Sequence, residues 1–402
     1  MVGGGIAGFS AVRELRRRGY AGFLYLVDPA GLPYDRPPLS KAFLAGSLDR
    51  AQLQLAPAQW YADNGVRVRA ETVRTLRTDN GAPVMTFSSG GELRADAVLL
   101  ATGARARRLP LPGMDLPGVL TLRTADDADR LRSHVRAGAR LVLLGAGLIG
   151  AETAGTARGM GAEVTLVDPA ALPFVAAAGP EMAAHLHALH GLHGVVHRRD
   201  RAVAIAMDGT ALAVHLAGGD VIPADAVLVA AGSEPETALA EAAGLEVDDG
   251  VLVDSTGRTS CAGIFAAGDA ARLRPGPDGV PGRRFEHWDA ARRTGEAAAA
   301  GILGDAPPAP AADWFWSDRY GIHLEVAGSM SAPGSTVLRG TPGPGFMAFR
   351  LGPDGSLAGV AAVDAGTDVR AARKLIESGR RVDAAALADS AVDLRRLARG
   401  KA

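Results

Sequence analysis

Gly3-Gly4-Gly5-Ile6-Ala7-Gly8 and Gly145-Ala146-Gly147-Leu148-Ile149-Gly150 both fit the pattern G-x-G-x-x-G. Their surroundings repeat as well. The first is followed by Leu26-Val27-Asp28-Pro29-Ala30-Gly31-Leu32-Pro33, the second by Leu166-Val167-Asp168-Pro169-Ala170-Ala171-Leu172-Pro173. The acids stand 20 residues after Gly8 and 18 after Gly150. One such glycine loop is weak evidence; two, each with an acid at that distance, specify a dinucleotide fold twice over. The first glycine permits a tight turn, the second lets backbone approach a pyrophosphate, and the third lets helix and strand pack closely. The pyrophosphate then lies at a helix N-terminus, where unpaired N–H groups and the dipole favour negative charge. The strand-end acid, Asp28 or Asp168, accepts from ribose hydroxyls. Ahead of the second loop, Arg140-Leu141-Val142-Leu143-Leu144 is the apolar run of a buried parallel strand.

Beyond these two windows, Ala97–Thr102 and Ala226–Ala231 read as apolar strands leaving through Gly103 and Gly232, where the chain passes between nucleotide modules. Leu53–Asn64 reads as a helix, Ile264–Asp269 as a strand, Pro275–Gly282 as a loop and Pro307–Pro310 as a linker. From Trp314 the composition changes to clustered aromatics and alternating strand-like runs such as Ile322–Val326, then a helix from Asp368 to Gly379. The expected fold class is therefore α/β, with two Rossmann-like dinucleotide-binding domains and a C-terminal α+β domain. The boundaries expected are 1–108 with 233–312 for the first, 109–232 for the second and 313–402 for the third.

The whole chain bounds the rest. With 402 residues it exceeds one domain. A net charge of −1 argues against a polycationic nucleic-acid binder. No apolar run approaches the ~18 residues of a membrane span, and no secretory signal opens the chain, so a cytoplasmic protein is expected, with neither nucleic acid nor membrane as partner. The sole cysteine, Cys261, leaves no disulfide pair and no Cys-based metal site, and reads as a small packed hydrophobe. Only Met1 and Val2 precede Gly3, where a strand needs about five residues. The expectation is a native chain that begins several residues upstream.

More specific stretches run through the sequence: Pro33-Tyr34-Asp35-Arg36-Pro37-Pro38-Leu39-Ser40-Lys41, Ala101-Thr102-Gly103-Ala104-Arg105, Leu122-Arg123-Thr124, Ile264–Asp269, Phe285-Glu286-His287-Trp288 and Phe315-Trp316-Ser317-Asp318. With the paired glycine loops, these resemble the FAD-dependent pyridine nucleotide-disulfide oxidoreductases. Within them the chain is similar to the bacterial NADH-dependent ferredoxin reductases that serve Rieske dioxygenases. The resemblance implies that the first loop (Gly5, Ala7, Gly8) holds FAD and the second (Gly145, Gly147, Gly150, with Gly232) holds NAD. It implies Asp28 on the FAD ribose, Val73 at the adenine through its backbone, Arg36 and Arg123 positioning the cofactor, Asp269 on the ribitol, and Glu286–Trp288 along the flavin pyrimidine edge. Thr294, Arg319 and Glu236 stand where the family commonly carries Gln, Gln and Asn; the first two are expected near the ferredoxin side.

The chemistry agrees with the resemblance. Hydride transfer from nicotinamide to flavin needs no protein nucleophile or metal. A cation near the flavin favours its reduced form, and Lys41, the only lysine before Lys374, is the candidate, with Glu152 its counter-charge. Asp168 repels a 2′-phosphate and no basic residue follows it through Phe174, so NADH is favoured over NADPH. Without a cysteine before Cys261 the thiol routes of this fold are not expected, and the resemblance implies that electrons leave singly to an external carrier, an iron–sulfur ferredoxin that feeds an oxygenase. Arg283, Arg284, Arg292 and Arg293 flank the Glu286–Trp288 turn, and these arginines and Trp316 are candidates to face that partner. Two other readings stay open: a rubredoxin or small-molecule (quinone, monodehydroascorbate) reductase, and a redox-gated interaction protein like apoptosis-inducing factor. His185, His187, His190, His193 and His197 cluster on a predicted helix and its exit, and read as a solvated helix face rather than a metal site.

Overall fold

The computed structural model describes residues 1–276, 282, 284 and 286–400. The expected Pro275–Gly282 loop falls largely outside the described residues, as do Arg283 and Phe285. The chain divides into two compact units, one of residues 1–37, 49–105 and 233–310, the other of 38–48, 106–232 and 311–402.

In the first unit, strand Leu24–Val27 pairs in parallel with Val66–Arg69, and Val98–Leu100 with Ile264–Ala266. Val2 joins the pairs by parallel bridges to Val27 and Leu100. Met1 and Val2 thus fill the central position as far as they run, Val27 N–H donating to Met1 O and Ala101 N–H to Val2 O. Helices Ile6–Arg17 and Trp288–Leu303 pack together over this sheet. Leu15, Leu26, Leu99 and Ala298 are fully buried in the resulting core. An antiparallel sheet of Val73–Asp79, Ala82–Phe87 and Glu92–Arg94 adjoins it. Its tight hairpin turns at Asn80 and Gly81, both with positive φ (48° and 78°), as the twist of a two-residue hairpin demands. Two expectations need correction. The helix predicted over Leu53–Asn64 spans only Ala58–Asp63, because Pro57 disfavours helical backbone before it and Gln54 is bridged to Tyr34. The strand expected to reach Asp269 ends at Ala266, and Gly268–Ala270 is a 3₁₀ turn.

In the second unit five parallel strands lie in the order Val196–Arg198, Glu163–Val167, Arg140–Leu144, Ala226–Val229, Val119–Thr121. The ladder repeats that of the first unit: glycine-loop strand in the centre, acid-bearing strand beside it. An antiparallel sheet of Ala202–Asp208, Ala211–Leu216 and Val221–Ala224 adjoins it. The C-terminal part is a five-stranded antiparallel sheet, Trp314–Arg319 pairing with Ile322–Gly328 at one edge. Helix Gly366–Ser378 covers that sheet and stops at Gly379 in the left-handed region (φ 61°).

In the first unit, backbone meets backbone where the two helices cross. A Cβ added to Gly295 would lie 2.2 Å from the Ala7 carbonyl oxygen. Gly295→Ala must therefore spread the helix pair and should lower Tm, at a cost of about 1–3 kcal/mol. Gly191 lies in the helix Pro180–Leu192 with nothing within 4 Å of an added Cβ. Gly191→Ala should hold or raise Tm, and a calorimetric comparison of the two variants checks both.

Candidate functional site

Each glycine loop is built by the same contacts. Gly5 caps helix Ile6–Arg17 without any side-chain cap, leaving the first N–H groups of the helix open. A Cβ on Gly8 would lie 2.1 Å from Gly3 O, and one on Gly3 2.1 Å from Ala101 O. The Asp28 carboxylate accepts from Gly4 N–H at 2.7 Å and from Ala30 N–H at 2.8 Å, which fixes it at the loop. Arg36 stands over the loop: its Nη1 is 2.5 Å from where a Gly5 Cβ would be. Its Nε is buried with no hydrogen-bond partner. Open helix donors beneath a guanidinium with an unspent donor fit a pyrophosphate. Asp269 lies in the 3₁₀ turn after the last strand, and Gly268 N–H there donates to Thr294 Oγ1 at 2.9 Å. Thr294 therefore holds the strand exit. The Trp288 Nε1 donates to Asp35 at 2.7 Å, tying its helix start to the Tyr34–Arg36 loop. Val73 is buried at the start of its strand.

In the second unit Gly147 caps helix Leu148–Gly159, again with no side-chain cap, and a Cβ on Gly150 would lie 2.0 Å from Gly145 O. Asp168 accepts from Ala146 N–H at 2.8 Å and Ala170 N–H at 2.8 Å. A cavity of ≈ 690 Å³ opens at this corner, lined by Gly145, Gly147, Asp168, Arg201 and Gly232 among others. It suits a nucleotide half of a dinucleotide in size and in its open backbone donors.

Lys41 and Glu152 also meet within the second unit. The Lys41 Nζ lies 3.2 Å from Glu152 Oε1 and 2.9 Å from Asp318 Oδ2, and 5.8 Å from the Trp316 ring centre. Glu152 is 4% exposed, and its oxygens further accept from the hydroxyls of Ser40 (2.6 Å) and Ser317 (2.8 Å). A buried carboxylate with three donors is a satisfied one. Burial works against the ionised Asp318, but the hydrogen bonds from His323 and Lys41 outweigh it and hold that carboxyl below the usual range. Behind Ser317, Arg319 is 5% exposed and donates to the Ser317 hydroxyl at 3.0 Å. Arg319 is thus an internal charge. Sequence reasoning missed Ser40, Ser317, Asp318 and Arg319 as members of this network. The available signal was the alternation of strand Trp314–Arg319, which buries Phe315, Ser317 and Arg319 on one face.

Other predicted residues are engaged locally. Arg284 pairs with Asp249 and Glu286, and Arg292 with Asp289 and Glu296. Arg123 N–H donates to Asp127, inside the capping box of helix Ala125–His134. Trp316 stacks on Trp314 at 5.0 Å. The histidine cluster is not a solvated face. His190 is 3% exposed, its Nδ1 lies 2.6 Å from the Tyr320 hydroxyl, and His187 packs edge-on to His197 at 4.5 Å. Among the described residues no group of three or more His, Cys, Asp or Glu is arranged to hold a metal. Nor is any helix among them long and apolar enough to cross a membrane.

Residues 1–295 match the family described as pyridine nucleotide-disulphide oxidoreductase, and residues 314–398 the one described as reductase C-terminal. The chain belongs to the pyridine nucleotide-disulphide oxidoreductase family. It is an FAD- and NAD(H)-using oxidoreductase, and the two glycine loops are where such cofactors fit. It is 40% identical to the ferredoxin reductase component of chlorobenzene dioxygenase from Cupriavidus sp. (strain PS12), over 100% of this chain and 97% of that protein. It is 37% identical to rhodocoxin reductase from Rhodococcus erythropolis, over 98% and 93%. Among solved structures it resembles the ferredoxin reductase for the CYP199A2 system from Rhodopseudomonas palustris, with a TM-score of 0.93, 33% identity, and coverage of 99% and 98%. It also resembles the reductase in the covalent putidaredoxin reductase–putidaredoxin complex, with a TM-score of 0.91, 32% identity, and coverage of 99% and 97%.

Burial, and next the Arg319 charge, push His190 from the ordinary 6.5 down to about 3. The unfolded chain takes up a proton near pH 6.5 that the native protein refuses until about 3, so stability is lost as pH falls through that window. His190→Gln should lower Tm at pH 7.5, and its Tm should then fall less than wild type between pH 7.5 and 5. Parallel melting curves with pH test this; equal slopes would place the acid sensitivity elsewhere.

Proposed function

We propose that this chain is an NADH-dependent ferredoxin reductase that supplies electrons to an oxygenase, and that it works in the cytoplasm. The observation that carries the reading is the absence of sulfur from the redox route. The only cysteine in the sequence is Cys261, whose Sγ lies 3.3 Å from Thr78 Oγ1. Disulfide substrates need a thiol pair, and this chain has none. FAD held at the first loop would supply the conversion between the hydride of NADH and the single electrons of a one-electron carrier. The ferredoxin reductase relatives, matched over nearly their whole length, supply the class of that carrier. The reading divides the chain into an FAD module of 1–108 and 233–312, an NAD module of 109–232 and an interface module of 313–402.

The residues have distinct tasks. Gly5, Ala7 and Gly8 present helix donors to the FAD pyrophosphate, and Arg36 neutralises it from above. Asp28, already oriented by Gly4 N–H, accepts from the ribose, while Val73, Arg123, Asp269 and Trp288 complete the FAD contacts. Gly145, Gly147, Gly150 and Gly232 leave room for NADH, with Asp168 on its adenosine ribose. Lys41 is the cation that favours reduced flavin. Glu152 positions it, and Ser40 and Ser317 keep Glu152 oriented. Trp316, Arg283, Arg284 and Arg292 are the residues offered to the ferredoxin.

Purified protein should be yellow and release one FAD per chain on heating. NADH should reduce a [2Fe–2S] ferredoxin through it. Lys41→Met should slow flavin reduction by NADH and lower the flavin midpoint potential, since a nearby positive charge stabilises the reduced form. Stopped-flow spectra and a potentiometric titration read these; unchanged rate and potential would separate Lys41 from the flavin.

Replacing Asp168 by Asn should shift kcat/KM toward NADPH by removing a repulsion. A wild type that already prefers NADPH would refute this role for Asp168.

A further inference from the structure

Following Asp168 along the chain shows no basic residue through Phe174, yet pairing brings basic residues to it from a distant stretch. Strand Val196–Arg198 lies beside Glu163–Val167 in register, Val167 opposite Arg198, and Asp168 N–H donates to Arg198 O at 3.1 Å. His197-Arg198-Arg199-Asp200-Arg201 therefore emerges at the same sheet edge as the acid. Asp200 and Arg201 line the same cavity as Asp168.

The charges at this corner are unequally spent. Asp168 has an N–H on each carboxylate oxygen. Asp200 is held likewise, by Arg201 N–H at 2.7 Å and Gly218 N–H at 3.1 Å. The side chains of Arg198, Arg199 and Arg201 are exposed, and none has an ion-pair or hydrogen-bond partner among the described residues. Backbone dipoles thus screen both acids, while the Arg201 guanidinium stands unpaired among the described residues on the cavity lining, with Arg198 and Arg199 exposed just before it in the chain. A planar guanidinium is the side chain best shaped to hold phosphate oxygens in pairs.

We propose that Arg201, supported by Arg199, is a specificity-determining residue that gives the adenosine end of this cavity affinity for a 2′-phosphorylated ribose, so that the chain accepts NADPH beside NADH. Asp168 keeps NADH ahead; Arg201 narrows the margin. The inference rests on the dinucleotide reading of the second glycine loop.

Calorimetric titration of the FAD-loaded protein with 5′-AMP and with adenosine 2′,5′-bisphosphate separates the two ideas. Both probes share the adenine, ribose and 5′-phosphate, and only the second carries the 2′-phosphate. Arg201→Ala should weaken the bisphosphate about tenfold or more, and 5′-AMP by less than about twofold. Arg201→Lys should recover part of the loss, and Arg199→Ala with Arg201→Ala should deepen it. Added salt should weaken the bisphosphate more steeply than 5′-AMP. In turnover, Arg201→Ala should lower kcat/KM for NADPH selectively. Equal loss for both probes would assign Arg201 to the adenine or the shared phosphate and overturn the proposal. No loss for either would make it a solvated arginine, with the same consequence. A wild type that binds neither probe would instead refute the dinucleotide reading itself.

Discussion

A phosphate group can lie against a helix N-terminus only where no Cβ stands between it and the N–H groups. That exclusion organises this protein twice. In each unit the third glycine of the loop packs on the carbonyl of the first, and the first packs on the strand that follows the module, Ala101 in one and Ala230 in the other. Gly295 continues the pattern, pressing the helix Trp288–Leu303 onto Ala7. Loop, strand exit and covering helix are therefore coupled through contacts that tolerate no added methyl group. The acids follow the same logic: Asp28 and Asp168 accept from loop N–H groups, so each carboxylate is held at its loop by the fold itself.

The second organising constraint is the buried carboxylate of Glu152. Taken out of water, it must be compensated. Lys41, Ser40 and Ser317 do so from two distant parts of the chain, and Arg319 stands behind Ser317. Arginine can only donate and an ionised carboxylate can only accept, so the Ser317 hydroxyl is polarised toward Glu152. Lys41 is thereby shared between Glu152 and Asp318, a geometry that fixes where its charge sits. The family name refers to disulfides, but this chain carries the family's dinucleotide machinery without a thiol pair.

Much of this was legible in the sequence. The glycine spacing with its trailing acids identified two nucleotide modules, because the local pattern and the tertiary requirement coincide there. Lys41 stood out as an isolated lysine, and Glu152 followed two residues after Gly150. Less was legible where a residue's role depends on what packs against it. The histidines of the helix Pro180–Leu192 read as a wet face, yet His190 is buried against Tyr320. Arg319, expected near the ferredoxin side, is buried behind Ser317. The helix expected from Leu53 begins only at Ala58, since a proline and a long-range bridge override the apolar pattern.

The order of residues was enough to establish the repeat: two glycine loops, each trailed by an acid, and a single cysteine. Those are properties of short windows and of counts. Which charges are compensated was settled by folding alone. Ser317 lies 165 residues from Glu152 along the chain, and Arg198–Arg201 reach Asp168 through strand pairing. Electrostatic interaction depends on distance through space and on the water excluded around it. Neither quantity is written in the spacing of residues along a chain.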